Sequence, residues 1–304
     1  MATTRLPALI FVWVASIVFW WRPLVATMGL ALSNEAYTHV LLILPLSAGL
    51  IYFDLKQRDS KHVGSKEFVG VPPLKFGAGV ILLVLALAIG GLARWGMRAV
   101  PDDVRLSFSM FSLVTWWIAS IILFFGAKTV RTFLFPLCFL FLIIPIPDFV
   151  LNWIVEFLQQ RSASVARMMF HAMGVPVTQD GIMLSIPNLD IEVARECSSI
   201  RSSLMLVVTT MVLAHLFLRS WWRQVLLVVA AIPLSVAKNG LRIVTIGELG
   251  TRVDPGFLTG KLHHNGGILF FGLSVVAIGA LLGMLWRTEH PMAGTERLLA
   301  KPGS

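Results

Sequence analysis

Apolar runs, each near the roughly 20 residues that a helix needs to cross a bilayer core, alternate along this chain with short polar connections. The runs fall at residues 6–21, 40–53, 76–92, 106–125, 130–146, 200–218, 225–246 and 267–286. They predict an all-α polytopic membrane protein with about eight transmembrane helices. The first run ends in Phe19-Trp20-Trp21-Arg22-Pro23 without a small-residue cleavage site, which predicts a retained span and not a signal peptide. Residues 1–290 read as one transmembrane domain, and residues 291–304 as a polar cytoplasmic tail.

One connection is much longer than the rest, running over residues 147–199. Its first half places Leu151, Ile154, Leu158, Val165 and Met169 at helical spacing, with Glu156, Gln160, Arg161 and Arg167 elsewhere on the wheel. That pattern predicts an amphipathic helix lying in the membrane interface. The second half carries an Asp180-Gly181 turn signal, with alternation at Ile182, Leu184 and Ile186 and again at Leu189, Ile191 and Val193. A small β-hairpin is therefore expected directly before Cys197.

Composition agrees with this picture. Of 304 residues, 57% are hydrophobic and 13% charged, which excludes an ordinary soluble domain. The formal charge of +9 comes from cations scattered between apolar runs, not from a basic stripe with interleaved aromatics. Membrane anchoring fits that distribution and nucleic-acid binding does not. The termini and the connections after even-numbered spans hold Arg5, Lys56, Arg58, Lys61, Lys66, Lys75, Lys128, Arg131, Arg219, Arg223, Arg287, Arg297 and Lys301. The short connections on the other side hold fewer: Arg22, Arg94, Arg98, Arg105, Arg252 and Lys261. The positive-inside rule then puts both termini in the cytoplasm and the long connection outside.

Three polar clusters interrupt the apolar pattern. Glu196, Cys197 and Arg201 stand at the entrance to the sixth run; Lys238, Asn239 and Arg242 lie inside the seventh; His263 and His264 precede the eighth. The sixth span runs inward from Cys197. The seventh returns outward, carrying Arg242 roughly 28 Å from Arg223, close to one bilayer core. The eighth runs inward from His263. All three clusters are therefore expected at the outer face. A thiolate there is a nucleophile whose charge neighbouring cations stabilise, a histidine can carry the proton, and an arginine can hold a developing oxyanion or clamp a carboxylate. The set suits acyl transfer through a thioester.

Several residues also have plainer readings. Arg242 could be a snorkelling anchor, and Lys238 is read as one. Arg201 could pair with Glu196 or a lipid headgroup, and His264 could be a mere neighbour of His263. Cys138, in an apolar stretch without ionisable neighbours, is read as packing. The two cysteines lie too far apart to suggest a disulfide framework, and no stretch has metal-ligand spacing, so no metal or cofactor is expected.

In their order and spacing the clusters resemble the exosortase and archaeosortase family of membrane-embedded transpeptidases. That family carries A-C-S-G-x-R, N-x-x-R and H-x-x-x-G boxes; here stand Glu196-Cys-Ser-Ser-Ile-Arg201, Asn239-Gly-Leu-Arg242 and His263-His-Asn-Gly-Gly267. Tyr37-Thr-His39 and the Phe135-Pro to Pro145-Ile-Pro147 run are similar to further family features. Glu196 and Ser199 depart from the usual alanine and glycine. The resemblance implies catalysis by Cys197, Arg242 and His263, with Arg201, Asn239, Glu196 and His264 supporting. It also implies a bacterial inner-membrane location and, as partners besides membrane lipid, secreted proteins bearing a Pro-Glu-Pro type motif, a transmembrane helix and a basic tail. A thiol protease or acyltransferase with another acceptor is an alternative, as is a transporter whose polar clusters line a pathway.

Overall fold

A computed structural model of the chain describes residues 2–61, 74–97, 99–187, 189–193, 200–254, 256 and 267–289. Among these, six helices are long and apolar enough to cross a membrane, or up to eight if each of two bent helix pairs is one span. A three-stranded sheet completes the fold. The protein is thus an all-α multi-pass membrane protein with one small β element. The chain divides into two compact units, Met1–Leu151 and Asn152–Ser304.

In the first unit the helices are α1 (Ala2–Phe19), α2 (Trp21–Ser33), α3 (Val40–Lys61), α4 (Leu74–Gly91) and α5 (Asp102–Phe125), followed by short α6 (Ala127–Thr132) and α7 (Leu134–Phe139). The predicted first span does not end at Trp21. The chain bends by 74° and continues as α2, so Arg22 is helical and not in a loop. Pro23 lies in the first turn of α2, where a missing N–H is tolerated. It therefore cannot donate to the Phe19 carbonyl, and Arg94 Nη1 lies 3.4 Å from that oxygen instead.

The predicted fifth span, residues 130–146, is also broken. Gly126, at φ 85°, ends α5; after α6 and α7 a 3₁₀ turn, Leu140–Ile143, leads into the Pro145-Ile146-Pro147 stretch. Prolines there remove N–H donors, and a carbonyl left unpaired at membrane depth is costly. Side chains from other helices fill the gap. Ser47 donates to the Pro136 carbonyl at 2.8 Å, Ser107 to that of Pro145 at 2.7 Å, and Tyr37 to that of Ile146 at 2.8 Å. The Tyr37 and Pro-Ile-Pro stretches noted in the sequence are thus two halves of one clamp.

The second unit holds most of α8 (Asp148–Ala172), the strands β1 (Thr178–Asp180), β2 (Met183–Ile186) and β3 (Leu189–Glu192), and the helices α9 (Ile200–Phe217), α10 (Trp221–Arg252) and α11 (Gly267–Glu289). The expected amphipathic helix is α8, but its buried face is Val155, Leu158, Gln159, Ser162, Ala163, Ala166 and Phe170. Small Ala and Ser residues carry the close contact, flanked by the expected apolar residues Leu151, Ile154, Val165 and Met169, while Glu156, Gln160, Arg161 and Arg167 are exposed as the pattern predicts. The strands pair antiparallel in the order β1-β2-β3, with Asp180 opposite Met183 and Ile186 opposite Leu189. The Asp180-Gly181 signal thus adds a strand before the expected hairpin; Gly181 supplies the turn with φ 58°, which glycine adopts without strain. Leu184 and Ile186 face inward as the alternation predicts.

At 32 residues, α10 is roughly 48 Å long, well beyond a bilayer core of about 30 Å. Its far end is sheathed by α8 and the sheet: Ile243 and Val244 share a core with Ala163, Ala166, Phe170, Leu184, Ile186 and Val193. Close approach is possible because Gly240 has no side chain. A Cβ there would lie 2.6 Å from Val165 Cγ1 and 3.2 Å from the Ala166 nitrogen. Gly240→Val is therefore expected to cost about 1–3 kcal/mol, as overpacking does. Gly283→Ala, with nothing within 4 Å of its Cβ, should not destabilise. Thermal unfolding of the detergent-solubilised variants measures the difference.

Candidate active site

The end of the three-helix layer opposite the site is pinned by one acid. Glu289, in the last turn of α11, accepts from the Arg219 and Ser220 backbone N–H groups at 2.9 and 3.0 Å. It also meets Arg223 at 3.4 Å. The link joining α9 to α10 is thereby tied to the C-terminus of α11. Nothing in the sequence singled out Glu289; an acid at the end of the last apolar run, opposite basic Arg219 and Arg223, is the signal that could have done so.

From that end the three helices run side by side toward the other. The N-terminus of α11, Gly267, lies roughly 33 Å along its helix from Glu289, and Arg242 lies roughly 32 Å along α10 from Trp221. The helix α9 is antiparallel to α10: Ser235 Oγ donates to Ser203 Oγ at 2.5 Å, and Lys238 Nζ donates to Ser202 Oγ. One more turn of α10, about 6 Å, carries Arg242 past this contact toward the end where α9 begins at Ile200. Thus Ile200, Arg242 and Gly267 reach the same end of the layer.

Spacing explains why one face of α10 is polar. Ser235, Lys238 and Arg242 recur at helical intervals, and all three are buried, with Asn239 beside them fully enclosed. Lys238, read from sequence as a snorkelling side chain, is only 5% exposed. It reaches across to α9, not out to the surface. The snorkelling reading of Arg242 also gives way, because it is 6% exposed and the helix continues from it to Arg252. Deeper among the three helices the buried hydroxyls of Thr210 and Ser274 bond back to the Leu206 and Phe270 carbonyls of their own helices, not across to a neighbour. Leu206, Leu227, Ala231 and Ile278 belong to one apolar core there.

Of the other candidate residues, Arg201 is exposed at the second position of α9. Glu196, Cys197, His263 and His264 lie outside the described residues, as does the 291–304 tail. By sequence, Cys197 precedes Ile200 by three positions and His263 precedes Gly267 by four. Cys138, expected to pack, is exposed on α7, the outward face of a short helix whose inward residues are Pro136, Leu137 and Phe139. Sequence reasoning also passed over Gln159. Buried on α8, it donates through Nε2 to the Val193 carbonyl at 2.7 Å, just past the end of β3 and four positions before Cys197.

A family model described as transmembrane exosortase (Exosortase_EpsH) matches residues 20–280, a range that contains every candidate residue named above. No curated protein and no solved structure matches the chain.

Proposed function

The chain belongs to the transmembrane exosortase family, and from that premise we propose that it cuts secreted proteins at a C-terminal sorting signal by thioester chemistry at the outer face of the bacterial inner membrane. Membership supports a role in membrane protein sorting and processing. The finer reading rests on one observation, the arrival of Ile200, Arg242 and Gly267 at one end of a helix layer whose deeper buried hydroxyls bond within their own helices. Such a layer suits a site at a membrane surface better than a transport path.

In this reading the substrate carries a Pro-Glu-Pro type motif, a transmembrane helix and a basic tail, and its own helix holds the scissile bond at the depth of Arg242. The Cys197 thiolate attacks the scissile carbonyl carbon, and the C=O electron pair moves onto oxygen. Arg242 donates to that oxyanion. As the tetrahedral intermediate collapses, the C–N bond breaks, His263 protonates the leaving amine, and a Cys197 thioester remains. An acceptor amine or water then attacks the thioester and restores the thiol. Asn239, Arg201, Glu196 and His264 support this set. Both termini face the cytoplasm.

Topology can be tested with the cysteines alone. In a Cys138→Ala background, a membrane-impermeant maleimide added to spheroplasts should label Cys197. Labelling that requires lysis would place the thiol on the wrong side and reject the outward-facing site.

A further inference from the structure

Lys238 has no part in the chemistry above, yet its place is unusual. A cation inside a membrane span is costly and marks a functional site unless something offsets it. Lys238 is 5% exposed, its ammonium is directed onto the Ser202 hydroxyl, and it meets no carboxylate among the described residues. Arg242, a second buried cation, follows one turn later on the same helix. Two like charges at this spacing oppose each other. Ser203 and Ser235, bonded to one another, floor the seam beneath them. This buried face of α10 therefore sets positive charge beside hydroxyls, a lining whose chemistry suits an anion.

We propose that Lys238, with Ser202, is a carboxylate-binding subsite for the substrate, a specificity determinant distinct from the oxyanion role of Arg242. It rests on the reading of the site as a thioester peptidase. Depth sets where the carboxylate must be. Lys238 lies about 6 Å inward of Arg242, which is about two residues of extended chain at roughly 3.3 Å each. The substrate's acidic side chain thus belongs about two residues from the scissile carbonyl, on the side facing its membrane helix. Charge-assisted pairing through an ammonium in a dry site contributes enough to select an acid over its neutral amide.

The experiment uses full-length protein in membrane vesicles and a tagged, membrane-anchored substrate with one glutamate at that position, beside its Glu→Gln counterpart. Wild-type protein should process the glutamate form roughly 10- to 100-fold better, the range expected for a hydrogen bond to a charged group. Lys238→Met should lose that preference while processing the glutamine form within about 3-fold of wild type, which also reports that the variant folds. Equal processing of both substrates by the wild type overturns the subsite, whatever the variant does. So does equal slowing of both by Lys238→Met, which would make the lysine a strut between α9 and α10. Processing that survives Cys197→Ala overturns the thioester reading, and the subsite with it.

Discussion

Cys197→Ala is expected to abolish processing of a tagged sorting-signal substrate, with a fall of roughly 10⁴-fold or more, the scale on which loss of a nucleophile acts. Cys138→Ala should process normally. The contrast follows from where the two thiols stand. Cys138 is exposed on a short helix of the first unit, with no charged partner in its sequence neighbourhood. Cys197 leads by three residues into α9, whose Ser202 and Ser203 are bonded to the polar face carrying Lys238 and Arg242. Accumulation of uncut, membrane-held precursor on an immunoblot measures the effect. Full processing by the Cys197→Ala protein would remove the mechanism, since no other residue here is offered as nucleophile.

Arg242→Lys is the second large effect. The substitution keeps a positive charge on a residue only 6% exposed, so the burial cost of a cation is little changed. It removes the planar fork that can direct two N–H donors at one oxygen. A lost oxyanion donor costs about 10²- to 10³-fold in kcat, and the fall should appear in kcat more than in KM, because the oxyanion exists only after attack. Protein recovered in the membrane fraction should stay near wild type. Near-normal turnover would mean that the guanidinium serves packing or charge balance and that another group holds the oxyanion.

Much of this was legible in the sequence, for reasons that particular residues make plain. Apolar runs of bilayer length report helices directly, and α5, α9 and α11 fall where hydropathy puts them. The runs mislead where proline intervenes. Phe19 to Pro23 looks like the end of a span, yet Pro23 suits the first turn of a new helix, so the chain bends and goes on as α2. Residues 130–146 look like one span, yet Pro136, Pro145 and Pro147 break it. The donors that make the break tolerable, Ser47, Ser107 and Tyr37, lie far away in sequence. The apolar run stops at Ile246 and Arg252 reads as part of a connection, yet α10 continues to Arg252. Its last turns persist because Gly247 packs against Phe170 and Ile191, contacts no local pattern contains.

The candidate site shows the same division. Asn239 and Arg242 announce themselves as polar groups in an apolar run, and helix rise alone places Arg242 opposite the Arg223 end. What Lys238 does depends on the register between two helices, and that register is set by Ser202, Ser203 and Ser235, which carry no charge to draw the eye. Gln159 and Glu289 are fixed by partners 34 and about 70 residues away, beyond the reach of any local motif.

The central claim is a covalent thioester on Cys197, and the direct measurement is to trap it. Purified full-length protein in vesicles is mixed with sorting-signal substrate, quenched in acid within the first turnover and digested for mass spectrometry. The thioester mechanism predicts the N-terminal substrate fragment attached to the peptide containing Cys197, released by neutral hydroxylamine and absent from the Cys197→Ala protein. Substrate cleaved at the same rate with Cys197 unmodified throughout the time course would contradict it.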